Sequence, residues 1–409
     1  MTKYLTLDDF DVRDKTVLVR VDFNSPVDPD TKKVLDDSRI RAHGETTIRE
    51  LATKGAKVVV LAHQGRKGDL DFIPLKQHAD LLSKALVKPV KYVDDVFGEK
   101  AKEAIRNLKC GEILVLENVR TFAGETKGGT PEKHAKTDLV RNLAPLADLF
   151  VLDAFAAAHR AQVSIIGFTA VLPSAAGRIM ERELKSLGRV LESPEKPSLF
   201  ILGGAKADDS LEISKYVLEK SLADYILVGG VAGQVFLTAK NINLGKPNVD
   251  FLQKKELLTF TQGIKELIQK HPTRIKTPED VAVEADGKRK EVLTENLPTE
   301  YSILDIGSKT ASEYAAMIAK AKTIVVSGPM GVYENDEFSL GTRKVFKAIA
   351  DSRAFSLAGG GHTIAALQEF GLFNKISYVS TAGGALIEFL MGKKLPGVTA
   401  LEKAAARKV

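Results

Sequence analysis

Arginine and histidine follow the apolar runs in the first half of this 409-residue chain, and glycine follows them in the second. The first set comprises Arg39, His63 with Arg66, Arg120, and His159 with Arg160. A guanidinium grips a phosphate or carboxylate through parallel hydrogen bonds, so this set suits a small phosphorylated anion. The second set is Gly203-Gly204, Gly229-Gly230, Gly328 to Gly331, Gly359-Gly360-Gly361 and Gly383-Gly384. Glycine lets backbone N–H groups approach a polyphosphate closely, above all where the turn opens a helix. One chain with both kinds of site is suited to passing a phosphoryl group between two ligands.

The surrounding sequence sharpens this chemistry. In Val19-Arg20-Val21-Asp22-Phe23-Asn24, Asp22 and Asn24 offer acceptors and an amide donor to a hydroxylated ligand, although an ordinary strand cap has the same look. Ser38 is placed to cap a helix and set Arg39 near its positive end. Ala62-His63-Gln64-Gly65-Arg66, Glu117-Asn118-Val119-Arg120 and Asp153 to Arg160 each follow an apolar strand, so their side chains converge on one sheet edge. In Leu202-Gly203-Gly204-Ala205-Lys206, a lysine entering a helix after a glycine turn sets an ammonium beside a transferring phosphate. Gly328-Pro329-Met330-Gly331-Val332-Tyr333-Glu334 adds a turn and a carboxylate for ribose hydroxyls, though helix-start acidity explains Glu334 equally well. No Gly-x-x-x-x-Gly-Lys-Ser/Thr loop, protein-kinase set or Gly-x-Gly-x-x-Gly on the first strand occurs, which disfavours GTPase and dehydrogenase readings.

The elements that must position these residues alternate between short β-branched runs and longer helical patterns, the mark of parallel βαβ construction. Expected strands are 16–21, 58–61, 113–116 and 149–152 in the first half, and 198–202, 225–228, 323–326, 354–357 and 376–379 in the second. Helices are expected at 39–54, 75–86 and 99–108, with a Pro-bracketed amphipathic helix over 177–192 between the halves. Residues 245–300 read as helices plus a charged excursion near Asp286 to Lys290. The length favours two domains. The fold class is therefore α/β: two Rossmann-like parallel-sheet domains, 1–172 and 198–386, joined by a hinge helix within 173–197.

The formal charge of +6 is split evenly between the halves without a basic block, so no nucleic-acid footprint is expected. The N-terminal residues lack the apolar core of a signal peptide, and no uncharged stretch reaches the ~20 residues of a membrane span. The expectation is a cytoplasmic protein that does not enter a membrane. The single cysteine, Cys110, excludes an intrachain disulfide and reads as a small core residue.

Taken in order along nearly the whole chain, these segments resemble the phosphoglycerate kinase family, with details before His159 and after Lys206 similar to its archaeal branch. Also part of the ordered set are the triple glycine and Ser380-Thr381-Ala382-Gly383-Gly384. The resemblance implies reversible transfer between 1,3-bisphosphoglycerate with ADP and 3-phosphoglycerate with ATP. It implies that Asp22, Asn24, His63, Arg66, Arg120 and Arg160 hold the phosphoglycerate, and that Arg39, with Lys206, stabilises the moving phosphoryl group. Gly229, Gly230 and Glu334 would contact the nucleoside. Gly203, Lys206, Gly359, Gly360, Gly361, His362, Thr363, Gly383 and Gly384 would surround the phosphates, with Gly360 and Gly383 taking part in catalysis. A deep interdomain cleft, closure with Ser380-Thr381 near the hinge, and a tail 387–409 returning to the first domain are implied as well. A monomer is expected, with a homodimer as the alternative.

Three positions depart from the family's commonest pattern. Ser210 stands where many members have a second lysine, Ser327 where many have asparagine, and His362 where an aspartate is associated with the nucleotide's magnesium. Imidazole is a poor magnesium ligand, so Mg²⁺ is expected to ride on the ATP or ADP phosphates and water, with Asp209 as first protein ligand. His362 is then expected to cap its helix or touch phosphate, or to have no ligand role. Two rivals are another two-lobed α/β transferase or dehydrogenase, and a noncatalytic nucleotide-binding relative.

Overall fold

A computed structural model describes residues 4–407. The outermost residues of the first-domain and tail expectations, 1–3 and 408–409, lie outside the described residues. The chain divides into two compact units, one running up to Leu184 and resuming at Lys394, the other from Lys185 to Lys393.

The first unit holds six strands: β1 (Thr16–Arg20), β2 (Lys57–Leu61), β3 (Lys91–Tyr92), β4 (Ile113–Val115), β5 (Leu149–Leu152) and β6 (Ser174–Ala176). They form one parallel sheet in the order β3-β4-β2-β1-β5-β6. Val17, Leu18 and Val19 of β1 are all fully buried, as expected of a central parallel strand covered on both faces. Each such side chain contributes about 1.5–3 kcal/mol on burial. The carboxyl ends of β4, β2, β1 and β5 are neighbours, so the four loops that follow them share one edge.

The second unit contributes β7 (Ser198–Leu202), β8 (Tyr225–Val228), β9 (Ile275–Lys276), β10 (Asp280–Ala285), β11 (Lys288–Leu293), β12 (Ser302–Ile306), β13 (Thr323–Ser327), β14 (Phe355–Gly359) and β15 (Tyr378–Ser380). Six form a parallel sheet in the order β15-β14-β13-β7-β8-β9. The glycine turns follow β7, β8, β13, β14 and β15, which are contiguous.

The remaining three strands form an antiparallel sheet in the order β11-β10-β12, where only helices and a charged excursion were expected. Asp286 and Gly287 form its two-residue hairpin loop, with φ of 53° and 72°. Both values suit the mirror-image turns that match strand twist.

Other expectations also shift. The first helical stretch starts at Ser38, but no side chain caps it; Ser38 Oγ instead donates to Asp36 Oδ2 at 2.9 Å. Cys110 is exposed, because it lies in the turn before β4, and its Sγ sits 2.7 Å from Asp14 Oδ1. That hydrogen bond, more than burial, pushes its thiol pKa up. The connecting helix spans Arg178–Leu191, and the boundary between units falls within it. Gly384–Leu390 stays with the second unit, where Leu386 is buried beside Gly359, so the chain rejoins the first unit at Lys394 rather than at 387.

Candidate active site

In the first unit, burial and hydrogen bonding hold the basic groups rigidly. Arg20 is fully buried: Nε donates to Ser164 Oγ at 2.8 Å, Nη1 to Val21 O, and Nη2 lies 3.0 Å from His63 Nδ1. Arginine can only donate, so His63 Nδ1 accepts and its Nε2 is left as a donor. Burial, followed by the charges of Arg20, Arg120, Arg160 and Arg39, drives the His63 pKa well below its ordinary value. His63 is therefore neutral.

Arg120 Nη1 donates to Gly65 O, while its backbone N–H is capped by the buried Asn118 side chain at 3.1 Å. Burial, with Arg160 and Arg20 nearby, brings its pKa down to about 10. Arg160 is half-buried and its pKa is lowered by burial first, with Arg66 acting in the same direction and Asp22 opposing. Arg66 is exposed on the loop after β2. Asn24 Oδ1 accepts the Gly65 N–H at 2.8 Å, which leaves the Asn24 amide N–H₂ available. Arg39 Nη1 meets Asp22 Oδ2 at 2.6 Å.

The structure thus brings together the expected Asp22, Asn24, Arg39, His63, Arg66, Arg120 and Arg160. It adds residues the sequence reading passed over. His43 accepts the Asp22 N–H on Nε2 at 3.3 Å and so donates from Nδ1 to Asp153 at 2.7 Å. Asp153 in turn accepts the N–H groups of Ile179 and Met180 at the start of the connecting helix. Glu125 is buried against Ser164, and burial pushes its pKa up despite Arg20. The arginines of the cluster, Arg20, Arg39, Arg66, Arg120 and Arg160, outnumber its carboxylates, Asp22, Glu125 and Asp153, an arrangement that an anionic ligand stabilises.

The second unit presents two adjoining cavities. A cleft of about 470 Å³ is lined by the turns Gly203-Gly204, Gly360-Gly361 and Gly383-Gly384, with Lys206, Asp209 and Lys393. A mainly apolar cavity of about 180 Å³ lies beyond Gly230, walled by Val281, Ile303, Met330 and Val332. Gly204, Ala205, Pro329 and His362 line both.

Several of the glycine N–H groups are committed to holding the turns together. Gly203 N donates to Ser327 O, Gly204 N to Pro329 O and Gly230 N to Met330 O, at 2.8, 2.8 and 2.7 Å. Gly229 N donates to Leu202 O at 3.1 Å. These turns shape the cavities but do not offer those N–H groups to a ligand. The helix Gly361–Glu369 does present its first turn to the cleft, because Gly360 adopts a φ of +96° at its cap. Thr363 is buried, and its Oγ1 accepts the Gly328 N–H at 2.7 Å.

His362 does not cap this helix. Its side chain is 79% exposed and lies 3.8 Å from Glu334 Oε1, because the cap position belongs to Gly360. Lys206 is 80% exposed and sits 3.6 Å from Asp209. Ser210 is buried with its Oγ bonded back to Lys206 O at 3.1 Å, so it supplies no charge. Lys393, which lines the same cleft, is a cation the sequence reading missed. The Asp209 pKa is raised by burial and then by Asp208, so a cation there would be stabilising.

A family model described as phosphoglycerate kinase matches residues 7–393. This chain belongs to the phosphoglycerate kinase family. It is 50% identical over 398 residues to phosphoglycerate kinase of Methanobacterium bryantii, covering 97% of each chain. Against that of Methanothermus fervidus it is 47% identical, covering 100% of this chain and 99% of the relative. The crystal structure of phosphoglycerate kinase from Pyrococcus horikoshii OT3 is similar with a TM-score of 0.87 and 42% identity, covering 99% of this chain and 100% of that one. The structure from Coxiella burnetii gives 0.86 and 35%, covering 98% and 100%.

The family's reaction is the glycolytic transfer between 1,3-bisphosphoglycerate with ADP and 3-phosphoglycerate with ATP, generally with magnesium. Among the described residues no helix is long and apolar enough to cross a membrane.

Proposed function

We propose that the first unit holds the phosphoglycerate, the second holds the nucleotide, and the phosphoryl group passes directly between them. The excess of arginines over carboxylates around the neutral His63 carries the first assignment, since after burial the neighbouring arginines lower the pKa values of His63, Arg120 and Arg160, a repulsion that an anion relieves. Arg66, Arg120 and Arg160 would meet its phosphate and carboxylate, with His63 Nε2 and Asn24 as neutral donors and Asp22 as an acceptor for hydroxyl. In the second unit the apolar cavity suits a nucleobase and the cleft its phosphates, with Glu334 near the ribose.

An acyl phosphate already carries a good leaving carboxylate, so no protein nucleophile is required. Catalysis is positioning and charge stabilisation. Arg39 would leave Asp22 partly or wholly to meet the equatorial oxygens, joined by Lys206 and the first-turn N–H groups after Gly360. Gly383 would border the same phosphates.

Asp209 and Glu388 are the carboxylates lining the cleft, and no group of three metal-ligating side chains occurs among the described residues. That donor set fits a hard cation that arrives with its own phosphate and water ligands. Asp209 would hold magnesium, which would supply charge neutralisation for the nucleotide's phosphates. The protein is read as cytoplasmic and active as a monomer.

Coupled assay of ATP-dependent 3-phosphoglycerate phosphorylation tests the reading, with Arg39→Ala beside the unaltered chain. Removal of Arg39 is expected to lower kcat by about 100-fold or more while the KM for 3-phosphoglycerate moves little. A loss confined to KM, or none, takes Arg39 out of the transfer step.

A further inference from the structure

Lys393 lines the glycine-walled cleft beside Lys206, and the way one helix ends holds its backbone there. The helix Gly384–Leu390 closes with the Gly392 N–H donating to Phe389 O at 2.9 Å and the Lys393 N–H to Glu388 O at 3.0 Å, the paired bonds of a glycine-terminated helix. Gly392 is left-handed, with φ of +73°, and a Cβ on it would stand 2.1 Å from the Tyr216 ring. Tyr216 belongs to the helix Ala207–Glu219, which also carries Asp209 and Ser210 into the cleft. The end of one helix is thus seated on the other, and Lys393 is the next residue.

The helix Ala207–Glu219 brings little positive charge of its own. Its first turn holds Asp208 and Asp209, and the Ser210 hydroxyl is bonded back to Lys206 O. Of the two lysines lining the cleft, Lys206 already lies 3.6 Å from Asp209. Lys393 is exposed, and its ammonium has no ion pair or hydrogen bond among the described residues. Its charge is still felt at Asp209, where it joins Lys206 in opposing the upward push of burial and Asp208.

We propose that Lys393 binds the phosphates of the nucleotide, as the second ammonium that the helix Ala207–Glu219 does not supply. This rests on the reading of the second unit as the nucleotide site. A nucleoside di- or triphosphate brings several negative charges, more than Lys206 offsets alone, and Lys393 meets them without first giving up a partner. A lysine just past a helix also favours that helix's carbonyl end. That role would act through the shape of the cleft, and so on ligands with and without phosphate alike.

Calorimetric titration of the full chain with ADP and with adenosine, both in the presence of magnesium, tests this. Lys393→Met is expected to weaken ADP binding by about tenfold and to leave adenosine binding unchanged. Lys393→Glu is expected to weaken ADP further, because a carboxylate repels the phosphates. ADP affinity unchanged in Lys393→Met, an equal loss for adenosine, or a Glu variant no weaker than the Met variant would each overturn the proposal. A second measurement needs no variant: ADP, but not adenosine, should slow acetylation of Lys393 by acetic anhydride, read from peptide masses. No protection by ADP would overturn the proposal as well. Failure of the unaltered chain to bind either ADP or adenosine would instead overturn the reading on which the proposal rests.

Discussion

His63 and His78 are both kept neutral, by different means. His63 is opposed by burial and by four arginines, whereas His78 is opposed by burial alone, which lowers its pKa to about 4. His78 stacks on Phe23 and lies 3.1 Å from Gln64 Oε1, so it supports the loop that carries His63. An unfolded histidine takes up its proton near pH 6.5, while folded His78 does so only near 4. The stability it contributes is therefore present above pH 6.5 and is lost as pH falls toward 4. Glu125, with its pKa raised, has the opposite sign: its neutral form is favoured by the fold, and its contribution falls as pH rises. Between pH 6.5 and 5 the His78 contribution should shrink by about 2 kcal/mol. Urea unfolding at the two pH values should accordingly show a shallower decline for His78→Gln than for the unaltered chain. Parallel declines would assign the pH dependence elsewhere. At this scale much was legible in advance, because His63, Arg120 and Arg160 follow strands of one sheet and Arg39 stands in the first turn of a helix. Arg20 was legible too, two residues before Asp22 on an extended segment, as was His43, four residues after Arg39 on a helix. The internal ties of Gly203, Gly204 and Gly230 were not, since they depend on which strands lie side by side.

The hairpin formed by β10 and β11 is the element that sequence reading misassigned. Its Asp-Gly turn was visible at Asp286-Gly287, but the charged residues around it read as a solvated excursion. Arg289 shows why those charges matter. From β11 it reaches Asp305 Oδ2 and Ile306 O on β12, each at 2.9 Å, and Glu337 O at 3.2 Å. Asp305 also receives the Gly341 N–H, so one guanidinium ties the hairpin to the segments that wall the apolar cavity. Burial lifts the Asp305 pKa to about 6, with Gly341 and Arg289 opposing. In Arg289→Met a buried carboxylate loses its cation, which is expected to cost about 3–5 kcal/mol. The nucleotide KM should rise while that for 3-phosphoglycerate holds, as thermal melts and initial rates would reveal. An equal rise in both would mean that the pair supports the whole molecule and not the cavity.

At the scale of the whole molecule, the two units share a construction but use their sheet edges differently. One ends its strands in buried arginine and histidine, and the other in glycine turns bound to one another. The first pattern follows from residue type and strand order, so it could be read from sequence together with the parallel βαβ architecture. How the second unit manages charge could not, because Lys393 comes from about 190 residues beyond Lys206. Since each ligand is assigned to a different unit, direct transfer requires that binding both draws the units together. Solution X-ray scattering of the full chain tests this most directly, alone, with 3-phosphoglycerate, with a non-transferable ATP analogue and magnesium, and with all of these. A smaller radius of gyration is expected when both ligands are present than with either alone. A radius unchanged by the full set, at saturating concentrations, would contradict it.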